Sequence, residues 1–330
     1  MAIDSVEKNM LEHEAEHWLQ IQQDLGKAAN TLLAYRRSLE SYCSFCLTLQ
    51  RPVYEATRAD IALFIRSMTA GEGGLANATI RLRLTAVRLF YDHLIEEGLR
   101  GDNPVARGRY TQGCGFGGMR PRALVPRFTA LPWIPTDADW RHLLQTAKSE
   151  SLRNRLMLAL AYDAGLRREE LCLLGTSDVD PANRLLTVRA ETTKSGAGRV
   201  VPYSQAASDL LCAYLAHRRT LTVQRGPLFV SESRRNSGVP LTIWTWSKVV
   251  HSLARRAGLP GLSTHTFRHL CLTDLARAGW ELHEIATFAG HRNTTTTLIY
   301  IHLSGRELTQ KLAKASLHAT RMVEAAQVLQ

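Results

Sequence analysis

The stretch AGHRNTTTTLIYIH, residues 289–302, places a tyrosine nine positions after a histidine, across a run of four threonines. Because β-branched side chains are stiff at χ1, a threonine run is a poor helix interior. Threonine does suit a helix start, where its hydroxyl can cap free backbone N–H groups. The pattern predicts a helix with His291 in the approach to it and Tyr300 a turn or two inside. Taken alone, it favours a core tyrosine and a surface histidine without a chemical role.

The composition indicates a globular protein of two domains. The chain has 330 residues, more than one typical domain, with an ordinary hydrophobic fraction of 45%. No apolar run approaches the ~18 residues of a membrane span, and the polar N-terminus lacks a secretory signal. We therefore expect a cytoplasmic protein with no membrane partner. No second Cys/His pair stands at zinc-ligand spacing, so we expect no metal site and buried thiols at six positions: Cys43, Cys46, Cys114, Cys172, Cys212 and Cys271.

Positive charge is concentrated after the first third of the chain. Residues 1–108 hold 12 Lys and Arg against 14 Asp and Glu, a net charge of −2. Residues 109–135 hold four arginines and no acid, and residues 136–330 hold 25 basic against 16 acidic residues, a net charge of +9. A basic excess in one part of a chain favours a polyanionic partner.

Residues 1–108 show helical periodicity, clearest in TLLAYRRSLESYCSFC (31–46) and ATIRLRLTAVRLFYDHLIEEG (78–98). Each segment has an apolar stripe, formed by Tyr35, Leu39, Tyr42 and Cys46 in the first and by Ile80, Leu84, Val87, Tyr91 and Leu94 in the second. Gly98 would end the second helix. Beside the stripes lie arginines that fit either a DNA-binding surface or a solvated face: Arg36, Arg37, Arg81, Arg83 and Arg88.

Residues 109–135 are rich in Gly, Pro and Arg and lose the helical period, which predicts a linker between domains 1–108 and 136–330. Its Arg120 and Arg122 are further candidates for contact with a phosphate backbone. In the second domain, helical segments surround two β-like runs, RLLTVRA (184–190) and RVVPY (199–203), which predict a hairpin. The expected fold class is mainly α with a small β-sheet (α+β).

Four pieces of the second domain carry chemistry-bearing residues in a fixed order. Arg167 follows Gly-Leu, with Glu170 three residues later, and Lys194 lies near the hairpin tip. In STHTFRHLCLTDLARAG (263–279), a Ser/Thr-capped helix start places His265 and Arg268 one turn apart on the same face. His291 and Tyr300 complete the series.

This order and spacing resembles the tyrosine recombinases of the phage integrase family, most closely the Xer-like branch. The family pattern is Gly-Leu-Arg-x-x-Glu-Leu, a hairpin Lys, His-x-x-Arg, then Leu-Gly-His and a Tyr nine residues on. The match spans Gly165 to His302, with Ala289 in place of the usual Leu and a linker that looks long. The resemblance implies an N-terminal all-helical SAM-like DNA-binding domain and a C-terminal tyrosine-recombinase catalytic domain.

The implied reaction is attack by the Tyr300 hydroxyl on a DNA phosphodiester, which gives a 3′-phosphotyrosyl link. Since a phenol pKa near 10 leaves only about 0.1% phenolate at pH 7, a handicap of roughly 4 kcal/mol must be offset. Arg167 and Arg268 would neutralise the transition-state charge, and Lys194 would protonate the leaving 5′-oxygen. His265 and His291 are expected to accept the tyrosine proton or to bond the phosphate. Glu170 would orient Arg167, or form only a surface ion pair with it.

We expect no cofactor, because the chain has no phosphate-binding Gly-rich loop and no acidic cluster for two metals. The expected partners are double-stranded DNA and further protomers, in a homo- or hetero-tetramer that exchanges an amphipathic C-terminal helix. Two alternatives are a type IB topoisomerase-like enzyme and a catalytically silent DNA-binding relative. Arg168 rivals Arg167, and His269 is interpreted as structural because it lies on a different helix face from His265 and Arg268.

Overall fold

The computed structural model describes residues 5–69, 74–105, 124–126, 131–193, 196–305, 321 and 327. The chain divides into two compact units, Met1–Thr129 and Ala130–Gln330. Helices dominate both, and the sheet is small, which confirms the expected α+β class. The domain limits at residues 108 and 135 stay predictions. Outside the described residues lie Arg120, Arg122, Cys114, Lys194 and most of the segment after residue 305.

The first unit is all helical in its described part, with α1 Ser5–Asp24, α2 Ala29–Thr48, α3 Arg58–Thr69 and α4 Asn77–Glu96. The two predicted apolar stripes are confirmed, because every stripe residue of α2 and α4 is buried. These helices pack on each other, with the Tyr42 and Tyr91 hydroxyl oxygens 2.7 Å apart. Gly98 adopts a φ of +71°, as expected for the residue that ends α4.

The second unit surrounds a three-stranded antiparallel sheet with helices. Its helices are α5 Asp137–Ala147, α6 Leu152–Asp163, α7 Arg168–Cys172, α8 Gln205–Leu221, α9 Ile243–Arg256, α10 Thr264–Arg277, α11 Leu282–Ala289 and α12 Leu298–Ser304. Strands β2 (Leu185–Val188) and β3 (Arg199–Pro202) form the predicted hairpin, in which Leu186 pairs with Val201. The two-residue strand β1 (Val179–Asp180) was not predicted.

Helix α10 begins where the sequence indicates. Ser263 is its N-cap residue, and the Ser263 N–H donates to Thr266 Oγ1 at 2.9 Å. The helix packs against α6, α11 and α12, so it carries its polar residues into the centre of the second unit. Helix α11 ends at Gly290, whose φ of +63° lies in the left-handed region. A Cβ atom there would lie 3.1 Å from Arg199 Nη1, so glycine also permits a close side-chain approach.

The sequence pattern predicts that threonine hydroxyls cap a helix start, but the threonines of residues 294–297 do not do so. The Asn293 side chain, not a threonine, accepts a hydrogen bond from the Thr295 N–H and caps a short 3₁₀ turn. Thr297 precedes α12, but its hydroxyl bonds His291 Nδ1 at 2.8 Å instead of a backbone N–H. Tyr300 is consequently in the first turn of a seven-residue helix, not deeper inside one.

No helix in the described part of the chain is long and apolar enough to cross a membrane.

Cys46, Cys172 and Cys271 are buried as expected, and Cys43 is half-buried. The expectation is wrong for Cys212, which is exposed because it lies on the outward face of α8.

Candidate active site

Three guanidinium groups meet at the carboxyl end of α11. They come from the start of α7, from β3 and from α10, and they donate to three successive carbonyl oxygens. The bonds run from Arg199 Nε to Phe288 O (2.8 Å), from Arg268 Nη2 to Ala289 O (2.6 Å) and, as a long contact, from Arg167 Nη2 to Gly290 O (3.5 Å). Unpaired carbonyls make a helix C-terminus partly negative, which favours cations there.

Glu170 joins two of these arginines. Its carboxylate accepts from the backbone N–H and Nη1 of Arg167 at 2.9 and 2.6 Å, and from both terminal nitrogens of Arg199 at 3.2 and 2.8 Å. Burial alone would raise the pKa of Glu170, but the hydrogen bonds and charge of Arg199 and the hydrogen bonds of Arg167 hold that pKa at about 2. Because Glu170 is only 1% exposed, this is a buried network and not a surface ion pair.

Arg268 is the most enclosed of the three cations, with 3% exposure. Its Nη1 donates to Gly165 O at 2.6 Å, and its Nη2 lies 3.0 Å from His291 Nε2. A guanidinium only donates, so His291 Nε2 accepts and its Nδ1 carries the proton that goes to Thr297 Oγ1. Burial and the charge of Arg167 lower the pKa of Arg268 to about 10, which leaves it protonated at neutral pH.

Both histidines near the predicted nucleophile are neutral at pH 7. Burial, followed by the charges of Arg268, Arg167 and Arg199, lowers the pKa of His291 to about 4. Burial, followed by the neighbouring His265 and Arg268, lowers the pKa of His269 to about 4. Neutral rings can accept protons, provided that a ring nitrogen is available.

Tyr300 is 3% exposed and bonds a histidine that the sequence did not select. Its hydroxyl oxygen lies 3.0 Å from His269 Nδ1, while the His291 ring stacks beside it at 6.2 Å. Burial raises the pKa of Tyr300, although the charges of Arg268 and Arg167 oppose that rise. His269 thus lies beside Tyr300, because α12 packs on α10, and its interpretation as structural stays a prediction.

His265 and Arg168, two further residues considered from the sequence, lie at the edge of the cluster or away from it. His265 is exposed, with its ring 6.3 Å from that of His269, and burial of part of the ring and the charge of Arg268 lower its pKa. Arg168 faces α9, where it bonds Ser247 and lies over the Trp244 ring. Arg167, not Arg168, therefore belongs to the cluster.

Sequence reasoning missed Arg199 as well as His269. Arg199 is the first residue of β3, and its side chain is 6% exposed. One signal in the sequence could have indicated Arg199. It is a basic residue at the start of the second β-like run of the predicted hairpin, five positions after Lys194. Its partner Glu170 lies 29 positions earlier, which no local pattern reveals.

The candidate DNA-binding arginines of the first unit lie on α2 and α4. Arg37 is exposed, and Arg81 and Arg88 are half-buried. Arg36 pairs with Glu16 of α1, and Arg83 Nη1 donates to Ser41 Oγ of α2 at 2.8 Å. Arg36 is thus already engaged with an acid in the free protein.

The Glu170 network predicts a specific loss of stability in acid. The pKa of Glu170 is held at about 2 in the folded protein, against an ordinary value of 4.5, so its stabilisation is complete above pH 4.5 and is lost as the pH falls towards 2. We expect the free energy of unfolding of the wild type to fall more steeply over this window than that of Glu170→Gln, measured by urea unfolding at each pH.

The matched control is Glu169→Gln, which removes an exposed carboxylate that pairs with Arg168. It should keep the wild-type pH dependence. Equal slopes for the wild type and Glu170→Gln would show that the network does not hold this carboxylate ionised.

Comparison with known proteins identifies the family of the chain. The sequence profile of the phage integrase family matches residues 136–307, and that of the phage integrase N-terminal SAM-like domain matches residues 15–98. The chain is 30% identical over 290 residues to tyrosine recombinase XerD of Rhizobium meliloti, covering 84% of this chain and 86% of that protein. It is 31% identical over 296 residues to tyrosine recombinase XerC of Erythrobacter litoralis, covering 86% and 85%.

Among solved structures, the Tn1549 transposon integrase in complex with transposon right end DNA has the same fold, with a TM-score of 0.70. The two proteins share 19% identity over 92% of this chain and 99% of that one. These matches confirm the family, the two-part fold and the recombinase class expected from the sequence. The chain belongs to the phage integrase family of tyrosine recombinases.

Proposed function

We propose that the chain cuts and rejoins double-stranded DNA at specific sites through attack of the Tyr300 hydroxyl oxygen on a phosphodiester. Attack forms a 3′-phosphotyrosyl bond and releases a 5′-hydroxyl group. A second 5′-hydroxyl then displaces the tyrosine, and no ATP is needed because the covalent link conserves the free energy of the phosphodiester. The observation that carries this proposal is the Tyr300 phenol beside cations gathered at the end of α11.

The arginine cluster supplies the charge that a reacting phosphate needs. Arg167, Arg199 and Arg268 against Glu170 leave a net charge of +2 in this described cluster. Arg167 and Arg268 would bind the non-bridging oxygens, and their preset positions stabilise charge that grows in the transition state. Arg199 would act through Glu170, which fixes the Arg167 guanidinium.

His269 is the group that we propose takes the tyrosine proton. Its Nδ1 is 3.0 Å from the Tyr300 hydroxyl, and its ring is neutral at pH 7. His291 is not available for this step, because Arg268 occupies its Nε2 and its Nδ1 already carries a proton. Its role would be to hold Arg268 in place, while the exposed His265 would donate to the phosphate.

The leaving 5′-oxygen needs a proton donor, on the side of the phosphorus opposite to the attacking tyrosine. As the tyrosine oxygen bonds phosphorus and its proton passes to His269, the 5′-oxygen leaves and takes a proton. Lys194, outside the described residues, is the proposed donor, because arginine does not give up its proton at neutral pH. In the free protein Tyr300 is covered and protonated, so DNA binding must expose it before attack.

The contacts with DNA away from the site would come from the first unit. Seven arginines of this unit are proposed to contact phosphates: Arg36, Arg37, Arg81, Arg83 and Arg88 on its helices, and Arg120 and Arg122 in the predicted linker. Lysine and arginine contacts with phosphates release counterions, so the affinity should fall steeply with salt. The same chemistry would serve integration, excision or resolution of a mobile element or replicon, according to the DNA repeats beside the gene.

A nicked suicide DNA that carries the inverted repeats beside the gene tests the proposal. We expect wild-type protein to form a covalent protein–DNA adduct that survives SDS, and Tyr300→Phe to form none, because phenylalanine has no nucleophilic oxygen. Tyr300→Phe should still bind the uncut DNA, with affinity that falls as salt rises.

Two results would contradict this. Absence of an adduct with the wild type would favour a catalytically silent DNA-binding protein. An adduct on arbitrary DNA, with relaxation of supercoils by monomers, would favour a type IB topoisomerase-like enzyme.

The proton step predicts how the adduct rate depends on pH. His269→Gln should lower the initial rate by about 10²–10⁴-fold at pH 7, since the amide can bond Tyr300 but cannot take its proton. The wild-type rate should fall only as the pH drops towards 4, where His269 becomes protonated. The His269→Gln rate should instead rise continuously with pH, as the phenolate fraction grows.

His283→Gln, an exposed histidine on α11, is the matched control and should keep the wild-type rate. If His269→Gln restored the rate that His269→Ala loses, His269 would only position Tyr300 and the proton-transfer role would fail.

We also propose that four protomers assemble on DNA and exchange the amphipathic helix expected after residue 305. A chain truncated after residue 310 should cut single sites but fail to form tetrameric complexes, as seen by native gel mobility and light scattering. Normal tetramers from the truncated chain would contradict the exchange.

A further inference from the structure

A buried histidine in the first unit has a polar atom without a hydrogen bond. His93 of α4 is 5% exposed, and its Nε2 has no hydrogen-bond partner among the described residues. A buried polar group left unsatisfied costs free energy, and such groups in native proteins call for an explanation. The proposed recombination mechanism does not use this residue.

Two side chains of α1 face that nitrogen. Glu14 Oε2 is 3.9 Å from His93 Nε2, and the His17 ring meets the His93 ring edge-on with centroids 6.0 Å apart. Glu14 and His17 are three residues apart, so they share one face of α1. One ligand atom from each of the three residues lies within 4.8 Å of the other two.

A second carboxylate lies on the opposite side of the His93 ring. Glu97, one turn later on α4, places Oε1 3.9 Å from His93 Nδ1. With the proton on Nδ1, on the side of Glu97, the Nε2 lone pair would be directed towards Glu14 and His17. Metal-binding histidines in proteins commonly donate their second ring N–H to a carboxylate, a role that Glu97 would take after a small shift towards Nδ1.

We propose that Glu14, His17 and His93 bind a divalent transition metal ion, with zinc as the best match. Two imidazoles and one carboxylate are typical zinc ligands, and water would complete four-coordination. Ligand atoms around tetrahedral zinc are about 3.4 Å apart, so the exposed His17 and the half-buried Glu14 would close inward by roughly 1.5 Å at most. The ion would tie α1 to α4. The expectation of no metal site rested on Cys/His pairs close together in the sequence, and His17 and His93 are far apart in the chain.

Zinc titration of the chelator-treated full chain tests this site. We expect the wild type to bind one zinc ion at the cluster and to gain thermal stability from it, since a ligand that binds only the folded state raises Tm. His17→Ala and Glu14→Gln should each weaken zinc affinity at least about tenfold and lose the Tm gain. His17 is exposed, so its replacement does not endanger folding.

His13→Ala is the matched control, an exposed histidine of α1 outside the cluster, and it should bind zinc as the wild type does. X-ray absorption at the zinc edge should show nitrogen and oxygen ligands without sulfur. The proposal is overturned if the wild type binds no zinc, which would leave His93 as an imidazole between Glu14 and Glu97. It is equally overturned if His17→Ala binds as the wild type does, or if sulfur dominates the zinc shell.

Discussion

The candidate site depends on one constraint, which is the need to hold three like charges together. Two unit charges about 6 Å apart repel by roughly 3 kcal/mol at an effective dielectric constant of 20. The structure offsets this repulsion with the carbonyl oxygens of residues 288–290 and with the buried carboxylate of Glu170. Because Gly290 ends α11 in a left-handed conformation, these carbonyls stay open to the guanidinium groups. Without those acceptors, Arg167, Arg199 and Arg268 would separate.

The two histidines beside Tyr300 share a protonation state but differ in whether a ring nitrogen is available to the tyrosine. Both are neutral at pH 7, because burial disfavours imidazolium and the charge of Arg268 adds to that effect at each ring. Arg268 and Thr297 occupy both ring nitrogens of His291, whereas His269 Nδ1 faces the Tyr300 hydroxyl. A short helix, α12, therefore decides which histidine is close enough to accept a proton from the tyrosine. Its packing on α10 links the fold of the second unit to the chemistry that we propose.

Much of the fold, and several of the side chains that gather at the candidate site, could be predicted from the sequence. Helical stripes indicated the cores of α2 and α4, two β-like runs indicated the hairpin, and motif order selected Arg167, Arg268 and Tyr300. Local patterns specify the face of a helix on which a residue lies, but not the element that packs there. His269 and Arg199 were missed for that reason, since their partners Tyr300 and Glu170 are distant in the chain. Strand β1 was missed because two residues are too few to show a strand pattern in the sequence.

The central claim, that Tyr300 attacks the phosphate held by the arginine cluster, is tested most directly by mapping the covalent adduct. Trypsin should release residues 293–306, NTTTTLIYIHLSGR, in which Tyr300 is the only tyrosine. After nuclease digestion of trapped wild-type adduct, fragmentation mass spectrometry should place the nucleotide on Tyr300 of this peptide. A nucleotide on any other residue would contradict the account.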